Sequence, residues 1–165
     1  MSDSLLPDDI VALARRVIEE NRAANRTIAV AESCTGGLVA AALTEIPGSS
    51  AVLDRGYVTY SNAAKCGVLG VSVDLIDAFG AVSIACVYAM AQGALERSGA
   101  DVAVAISGVA GPDGGNGLKP VGTVMFARAR RGEDTPEAES KLFENEGRGG
   151  VRRQATLCAL ELLLP

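Results

Sequence analysis

The chain has 165 residues, 48% hydrophobic and 21% charged, with a formal net charge of −5. This composition indicates a globular protein with a sizeable core, and the length predicts a single domain over residues 1–165. The acidic balance argues against a nucleic-acid partner, because such a protein would normally carry a basic face.

In chain order, the first predicted element is a helix that begins after Pro7, where two acids favour the positive end of the helix dipole. A short buried strand follows at residues 27–32, then a helix at 37–45 and a second strand at 56–60. A short helix is predicted within 62–71, and Ser83 is the expected N-cap of a long helix that runs to Ser98. The remaining predicted elements are a third strand at 101–108, two strands within 121–130 and 137–145, and a closing helix within 148–164.

The alternation of strands and helices predicts the α/β class, as a three-layer α/β/α sandwich. The two late strands, joined by the polar loop "RGEDTP", make the sheet mixed. Ligands in such sheets bind beyond the carboxyl ends of the parallel strands. We therefore expect three loops to meet there: "ESCTGG", "YSNAAK" and "SGVAGPDGG".

The other compositional expectations are negative. The four cysteines have no CxxC spacing and histidine is absent, so we expect reduced thiols, no metal and no cofactor. No apolar stretch reaches membrane-spanning length, and the acidic N-terminus lacks a signal-peptide core. We expect no membrane association and a cytoplasmic location, with a homo-oligomer possible.

Ser33 follows the first strand and is a candidate nucleophile. Without histidine, the remaining types of base are Lys, Asp, Glu, Tyr or a metal hydroxide. A serine–lysine pair is a known substitute, and Lys65 lies in the second loop. Burial in a cleft would lower its pKa enough for it to act as a base. The amides of Cys34, Thr35 and Gly36 could stabilise an oxyanion or hold a phosphate. Two alternatives stay open, a plain helix cap by Ser33 and Thr35, and attack by the Cys34 thiol.

The other loop residues also have two interpretations. Ser61 is a rival nucleophile, because it lies four residues before Lys65 on one helical face. Ser61 and Asn62 are also ordinary N-cap residues, and we favour Ser61 as a cap that orients the Lys65 helix. Tyr60 could relay a proton to the serine or the lysine, or it could be a half-buried strand aromatic. In the third loop, Asp113 is expected to serve the turn.

Six segments stand in the order typical of one family: "AESCTGG", "TEIPGSSAV", "YVTYSNAAK", "GAVS", "SGVAGPDGG" and "KPVGTV". The chain resembles the CinA C-terminal domain family over nearly its whole length. Stand-alone members of that family are nicotinamide-nucleotide amidohydrolases. The resemblance implies a small-molecule nucleotide substrate, hydrolysis of nicotinamide mononucleotide to nicotinate mononucleotide and ammonia, and an α/β/α sandwich.

Carried over by motif, the resemblance implies catalytic roles for Ser33, Tyr60 and Lys65. It also implies substrate binding by residues of the flanking motifs, namely Cys34, Thr35, Gly36, Ser61, Asn62, Ser107, Gly108, Gly111 and Arg148.

Two positions depart from the family pattern. Ile84 stands where an acid usually follows "GAVS", and Gly147 replaces the aspartate before Arg148. The second departure predicts a less constrained Arg148. Two other classes of function therefore stay open, a nucleotide-binding module with weak or no amidase activity and a Ser–Lys amidohydrolase with another amide substrate.

Overall fold

The structure is a computed structural model that describes residues 3–165, and within them five strands form one mixed sheet. The strands are β1 (Ile28–Glu32), β2 (Leu53–Val58), β3 (Val102–Gly108), β4 (Thr123–Arg130) and β5 (Glu137–Leu142). Their order across the sheet is β2-β1-β3-β4-β5. Strand β1 is parallel to both of its neighbours, whereas β4 is antiparallel to both of its own.

Helices cover both faces of the sheet, which confirms the predicted three-layer α/β/α sandwich. The helices are α1 (Asp8–Ala23), α2 (Leu38–Thr44), α3 (Asn62–Leu69), α4 (Val73–Phe79), α5 (Ile84–Arg97) and α6 (Gly147–Leu162), and a 3₁₀ turn lies at Ser49–Ala51. One core lies under α1, α2 and α6, and the other lies under α3, α4 and α5.

The central strands alternate in side-chain size as well as in direction. In β3, Val102, Val104 and Ile106 face the α1, α2 and α6 layer, while Ala103 and Ala105 face the α5 layer. Strand β1 repeats the pattern, with larger residues on the first side and alanines on the second. Successive strand residues point to opposite faces, so the alanines of both strands lie together on the α5 side of the sheet. Because alanine side chains are small, α5 can pack closely against that face.

Two sequence predictions were wrong in detail. The second strand was expected at 56–60 but is Leu53–Val58, so Tyr60 lies in the following loop and is 61% exposed. Its interpretation as a half-buried strand aromatic is therefore wrong. Helix α4 was not predicted, although α2, of the same length, was.

The remaining elements agree with the sequence prediction apart from their ends. Ser83 caps α5, and its hydroxyl accepts a hydrogen bond from the Cys86 amide at 3.0 Å. The late strand pair ends at Leu142 rather than at residue 145. None of the helices in residues 3–165 combines the length and the apolar character needed to cross a membrane.

Candidate active site

The three loops predicted to meet do line one pocket, of about 340 Å³, beyond the carboxyl ends of β1, β2 and β3. A pocket of this size can take a small ligand. Of the residues proposed from sequence, nine line it: Ser33, Cys34, Tyr60, Asn62, Lys65, Ser107, Gly108, Gly111 and Arg148. Three others, Thr35, Gly36 and Ser61, are not on its wall.

The central feature of the pocket is a contact between Ser33 and Lys65. Lys65 Nζ lies 2.9 Å from Ser33 Oγ and donates a hydrogen bond to Thr59 O at 2.9 Å. The backbone of Ser33 is fixed because its amide donates to Ile106 O of β3 at 2.9 Å. Ser61 caps α3 by accepting from the Ala64 amide at 3.0 Å, which confirms its predicted role as the cap of the lysine helix.

Lys65 is buried, with only 1% of its surface exposed. Burial lowers its pKa from the ordinary lysine value, because desolvation disfavours the charged ammonium. Within residues 3–165, no carboxylate forms an ion pair with Nζ that would restore the charge. The fraction of neutral amine at Ser33 Oγ is therefore greater than it is for an exposed lysine.

Cys34 has the opposite character. Its side chain is buried, and burial raises the pKa of the thiol to about 11. The thiol is therefore protonated at neutral pH, while the reactive form of cysteine is the thiolate. This chemistry favours Ser33 over Cys34 as the nucleophile. All four cysteines are free, as the sequence predicted.

Neither Ser33 nor Thr35 caps the N-terminus of helix α2. Instead, the buried carboxylate of Glu32 accepts hydrogen bonds from the amides of Val39 at 3.0 Å and Ala40 at 3.1 Å. Thr35 Oγ1 is buried and has no hydrogen-bond partner within the described chain. The alternative of a plain Ser/Thr cap is therefore wrong.

The amides that follow Ser33 are not equally available. The Gly36 amide donates to Ser33 O at 3.0 Å. The amides of Cys34 and Thr35 have no protein acceptor among residues 3–165. Only these two of the three predicted oxyanion donors are unoccupied.

Tyr60 and Arg148 meet at the pocket wall. Arg148 donates to the Tyr60 hydroxyl at 3.1 Å and to Gly111 O at 2.6 Å. Arg148 is thus held by contacts to two loops, although a glycine precedes it. Tyr60 makes no hydrogen bond to Ser33 or Lys65 in the described chain, so a direct proton relay through its hydroxyl has no contact to support it.

The glycine-rich loop presents backbone rather than side chains to the pocket. The amides of Ala110, Gly111 and Gly114 have no acceptor within residues 3–165, although these residues line the pocket. The Ser107 hydroxyl is already engaged, since it donates to Ala81 O at 2.8 Å. Asp113 also lines the pocket, and it lies in the bent segment 111–114, where the sequence predicted a turn.

Sequence reasoning missed three contributors to the site: the Glu32 cap, the Thr59 carbonyl and Arg152. Arg152 donates to Cys34 O at 3.1 Å and to Thr35 O at 3.4 Å. The spacing of Arg148 and Arg152, one helical turn apart on α6, was the available signal. Thr59 left no signal, because it contributes a backbone atom. Among the described residues, no group of three or more Cys, Asp or Glu side chains could hold a metal ion.

The fold and the site together define an α/β/α protein with a buried Ser–Lys pair at the carboxyl edge of its parallel strands. The family model of the CinA C-terminal domain matches residues 10–165. The chain belongs to that family.

Several relatives and solved structures are similar over most of the chain. It is 49% identical over 164 residues to a protein of Escherichia coli K12 named nicotinamide-nucleotide amidohydrolase PncC, covering 99% of this chain and 95% of the relative. It is 52% identical over 143 residues to a putative competence-damage inducible protein of Symbiobacterium thermophilum, of which it spans 34%. The crystal structure of the competence/damage inducible protein CihA from Agrobacterium tumefaciens superposes with a TM-score of 0.93 at 48% identity, covering 97% of this chain and 96% of that one.

Proposed function

We propose that this protein is an amidohydrolase that converts nicotinamide mononucleotide to nicotinate mononucleotide and ammonia through an acyl-enzyme. The observation that carries the proposal is the 2.9 Å contact between buried Lys65 Nζ and Ser33 Oγ in the pocket. The substrate assignment rests on the relative of E. coli that is named a nicotinamide-nucleotide amidohydrolase.

Acylation begins with neutral Lys65. Its amine has two hydrogens and one lone pair; one hydrogen goes to Thr59 O, and the lone pair accepts the proton of Ser33 Oγ. As the proton moves to Nζ, Oγ attacks the carboxamide carbon and the carbonyl π electrons move onto its oxygen. The burial that lowers the pKa of Lys65 also increases the fraction of neutral amine that can act as the base.

The unoccupied amides of Cys34 and Thr35 are the donors for the resulting oxyanion. Preorganised backbone N–H groups of this kind stabilise charge that develops only in the transition state. We do not assign this role to Gly36, because its amide is already bonded to Ser33 O.

Collapse of the oxyanion breaks the bond between carbon and nitrogen. Protonated Lys65 gives its proton to the leaving nitrogen, which departs as ammonia, and the amine is neutral again. Water then attacks the acyl-enzyme, with Lys65 accepting a water proton and returning it to Ser33 Oγ as nicotinate mononucleotide leaves.

The pocket lining also has the chemistry to hold the phosphoribosyl group. Unoccupied amides of the glycine-rich loop and the Arg148 guanidinium suit a phosphate. Tyr60 contributes by fixing Arg148. Asn62 and Asp113, which also line the pocket, are suited to polar groups of the ribose.

The test is ammonia release from purified protein given nicotinamide mononucleotide, with product identified by mass. We expect stoichiometric ammonia and nicotinate mononucleotide. A panel of other primary amides runs in parallel. Release from another amide alone would replace the substrate assignment, and binding of the mononucleotide without release would indicate a nucleotide-binding module.

A further inference from the structure

Arg152 does not line the pocket, but it contacts the backbone of the two residues that follow Ser33. It begins the second turn of α6 and donates to Cys34 O at 3.1 Å and Thr35 O at 3.4 Å. Two consecutive peptide carbonyls are therefore turned towards one guanidinium. The five donors of arginine, fixed in a planar fork, suit such a pair of acceptors.

The orientation of the Cys34 carbonyl determines where the next amide points. In a planar trans peptide, the C=O of Cys34 and the N–H of Thr35 are directed in opposite senses. Arg152 belongs to α6, on one face of the sheet, and Lys65 belongs to α3, on the other. With its carbonyl held towards α6, the Cys34–Thr35 peptide turns its N–H to the α3 side, where Ser33 Oγ meets Lys65.

The Thr35 N–H is not used in any other hydrogen bond of the described chain, although Thr35 itself is fully buried. The neighbouring Gly36, with φ of +59°, leaves room for the guanidinium, because a Cβ there would lie 3.3 Å from Arg152 Nη2. A rotated peptide would instead turn the Cys34 carbonyl dipole towards the developing oxyanion and repel it.

We propose that Arg152 is a positioning residue of the reaction: it locks the Cys34–Thr35 peptide so that the Thr35 N–H forms the oxyanion site. The inference deepens the proposed function and rests on it for the choice of substrate. It assigns Arg152 no contact with substrate. It distinguishes Arg152 from Arg148, which lies on the pocket wall itself.

The experiment compares Arg152→Met and Arg152→Lys with Arg153→Met. Arg153 is the adjacent arginine of α6, and it pairs with Asp9 on the surface away from the pocket, so it is a matched control. For each variant, three quantities are measured: kcat and KM for the mononucleotide, the rate at which a fluorophosphonate probe modifies Ser33, and the unfolding midpoint. The probe needs a nucleophile and an oxyanion site but no pyridine.

For Arg152→Met we expect kcat and the probe rate to fall together by about 10²-fold, the usual cost of one lost oxyanion donor, with KM nearly unchanged. Arg152→Lys should be intermediate, because an ammonium is a single point of contact. The pH at which the rate rises should stay that of wild type, since Lys65 is untouched. Arg153→Met should match wild type in both rates.

Two results would overturn the inference: a lower unfolding midpoint with both rates intact, which would make Arg152 a structural tie alone, or a raised KM with kcat intact, which would make it a substrate contact. Failure of the proposed function looks different. Wild-type protein would then be labelled at Ser33 yet release no ammonia from the mononucleotide, and the probe rates would still decide the role of Arg152.

Discussion

Ser33 and Cys34 are adjacent in the chain, yet only one is prepared to attack. The serine hydroxyl lies 2.9 Å from a lysine amine, whereas burial raises the pKa of the cysteine thiol to about 11. An intrinsically stronger nucleophile is thus kept in its unreactive form beside a weaker one that has a base.

Replacing Ser33 by alanine should lower kcat by about a million-fold, because the attacking atom is lost. Cys34→Ala should retain most of the activity, although it removes a larger and more polarizable atom from the same wall. Ammonia release by both variants, with circular dichroism to verify folding, checks the prediction. Near-normal turnover of Ser33→Ala would transfer the assignment to another nucleophile.

Lys65→Arg should be inactive, because arginine stays protonated and cannot accept the serine proton. Lys65→Met should be inactive at every pH. The rate of wild-type protein should rise with pH through a single pKa that is lower than that of ordinary lysine, since the neutral amine is the active form. A fully active Lys65→Arg protein would mean that this position supplies only charge.

The same lysine should leave a mark on stability that does not depend on any substrate. Burial lowers its pKa in the folded state, so between that pKa and the unfolded value of 10.5 the unfolded chain binds more protons. The contribution of Lys65 to the free energy of unfolding should therefore increase as pH rises through this window. Denaturant titrations across the alkaline range should show this slope in wild type and a smaller slope in Lys65→Met.

At the residue scale, sequence reasoning could find Ser33 and Lys65 because the absence of histidine left few possible bases. It could not find the Glu32 cap, since a buried carboxylate that reaches two amides seven and eight residues on depends on the loop path. It placed the end of β2 two residues too late, so the interpretation of Tyr60 as a half-buried strand aromatic was wrong, whereas its placement at the site was right.

At the scale of elements, the position of Lys65 depends on how closely α3 approaches α5. The contact is made at Gly93 of α5, where an added Cβ would lie 2.0 Å from Leu69 O, a backbone atom of α3. Lys65 is one turn before Leu69 on the same helix. Any side chain at position 93 must therefore displace the helix that supplies the base.

Gly93→Ala should lower the free energy of unfolding by about 1–3 kcal/mol, as overpacking does. It should also lower kcat, because the distance between Nζ and Oγ changes. The control is Gly67→Ala within α3, where an added Cβ meets nothing within 4 Å. That change should raise stability by about 0.5–1 kcal/mol and leave kcat intact. Chemical unfolding and steady-state kinetics of the pair check both halves, and a Gly93→Ala protein with wild-type behaviour would contradict the packing argument.

The strands and long helices were predictable because their apolar periods extend over several turns or pairs. Helix α4 and the 3₁₀ turn were not predicted, and length alone does not explain the omission of α4, because the equally short α2 was found. Sequence reasoning also did not predict that one face of the central strands carries the larger side chains and the other carries alanines. Only the pairing of strands reveals that the alanines of β1 and β3 form one side together.

At the scale of the whole molecule, the site joins both helical layers. Lys65 comes from the α3 and α5 side, and Arg148 and Arg152 come from α6 on the other. Arg148 in turn ties the second loop to the third through Tyr60 and Gly111. The site therefore depends on side chains from both helical layers, Lys65 from one and Arg148 from the other.

The glycine-rich loop and Arg148, which line the same pocket as Ser33, predict that the phosphate is required for efficient turnover. Binding energy from a non-reacting group orients the reacting one, so truncation should reduce turnover as well as affinity. Nicotinamide and its riboside should be much poorer substrates than the mononucleotide, and inorganic phosphate should compete weakly. Steady-state kinetics on the three compounds decide the matter: equal catalytic efficiency for riboside and mononucleotide would mean that no phosphate site exists.

The exposed ring of Tyr60 also gives this protein an optical property. The sequence has three tyrosines and no tryptophan, so its ultraviolet emission comes from tyrosine alone, with no indole to mask it. Of the three rings, only that of Tyr60 lines the pocket, where its hydroxyl touches Arg148. A nucleotide that enters should quench part of this emission, so binding could be followed without a label, even in a Ser33→Ala protein that turns nothing over.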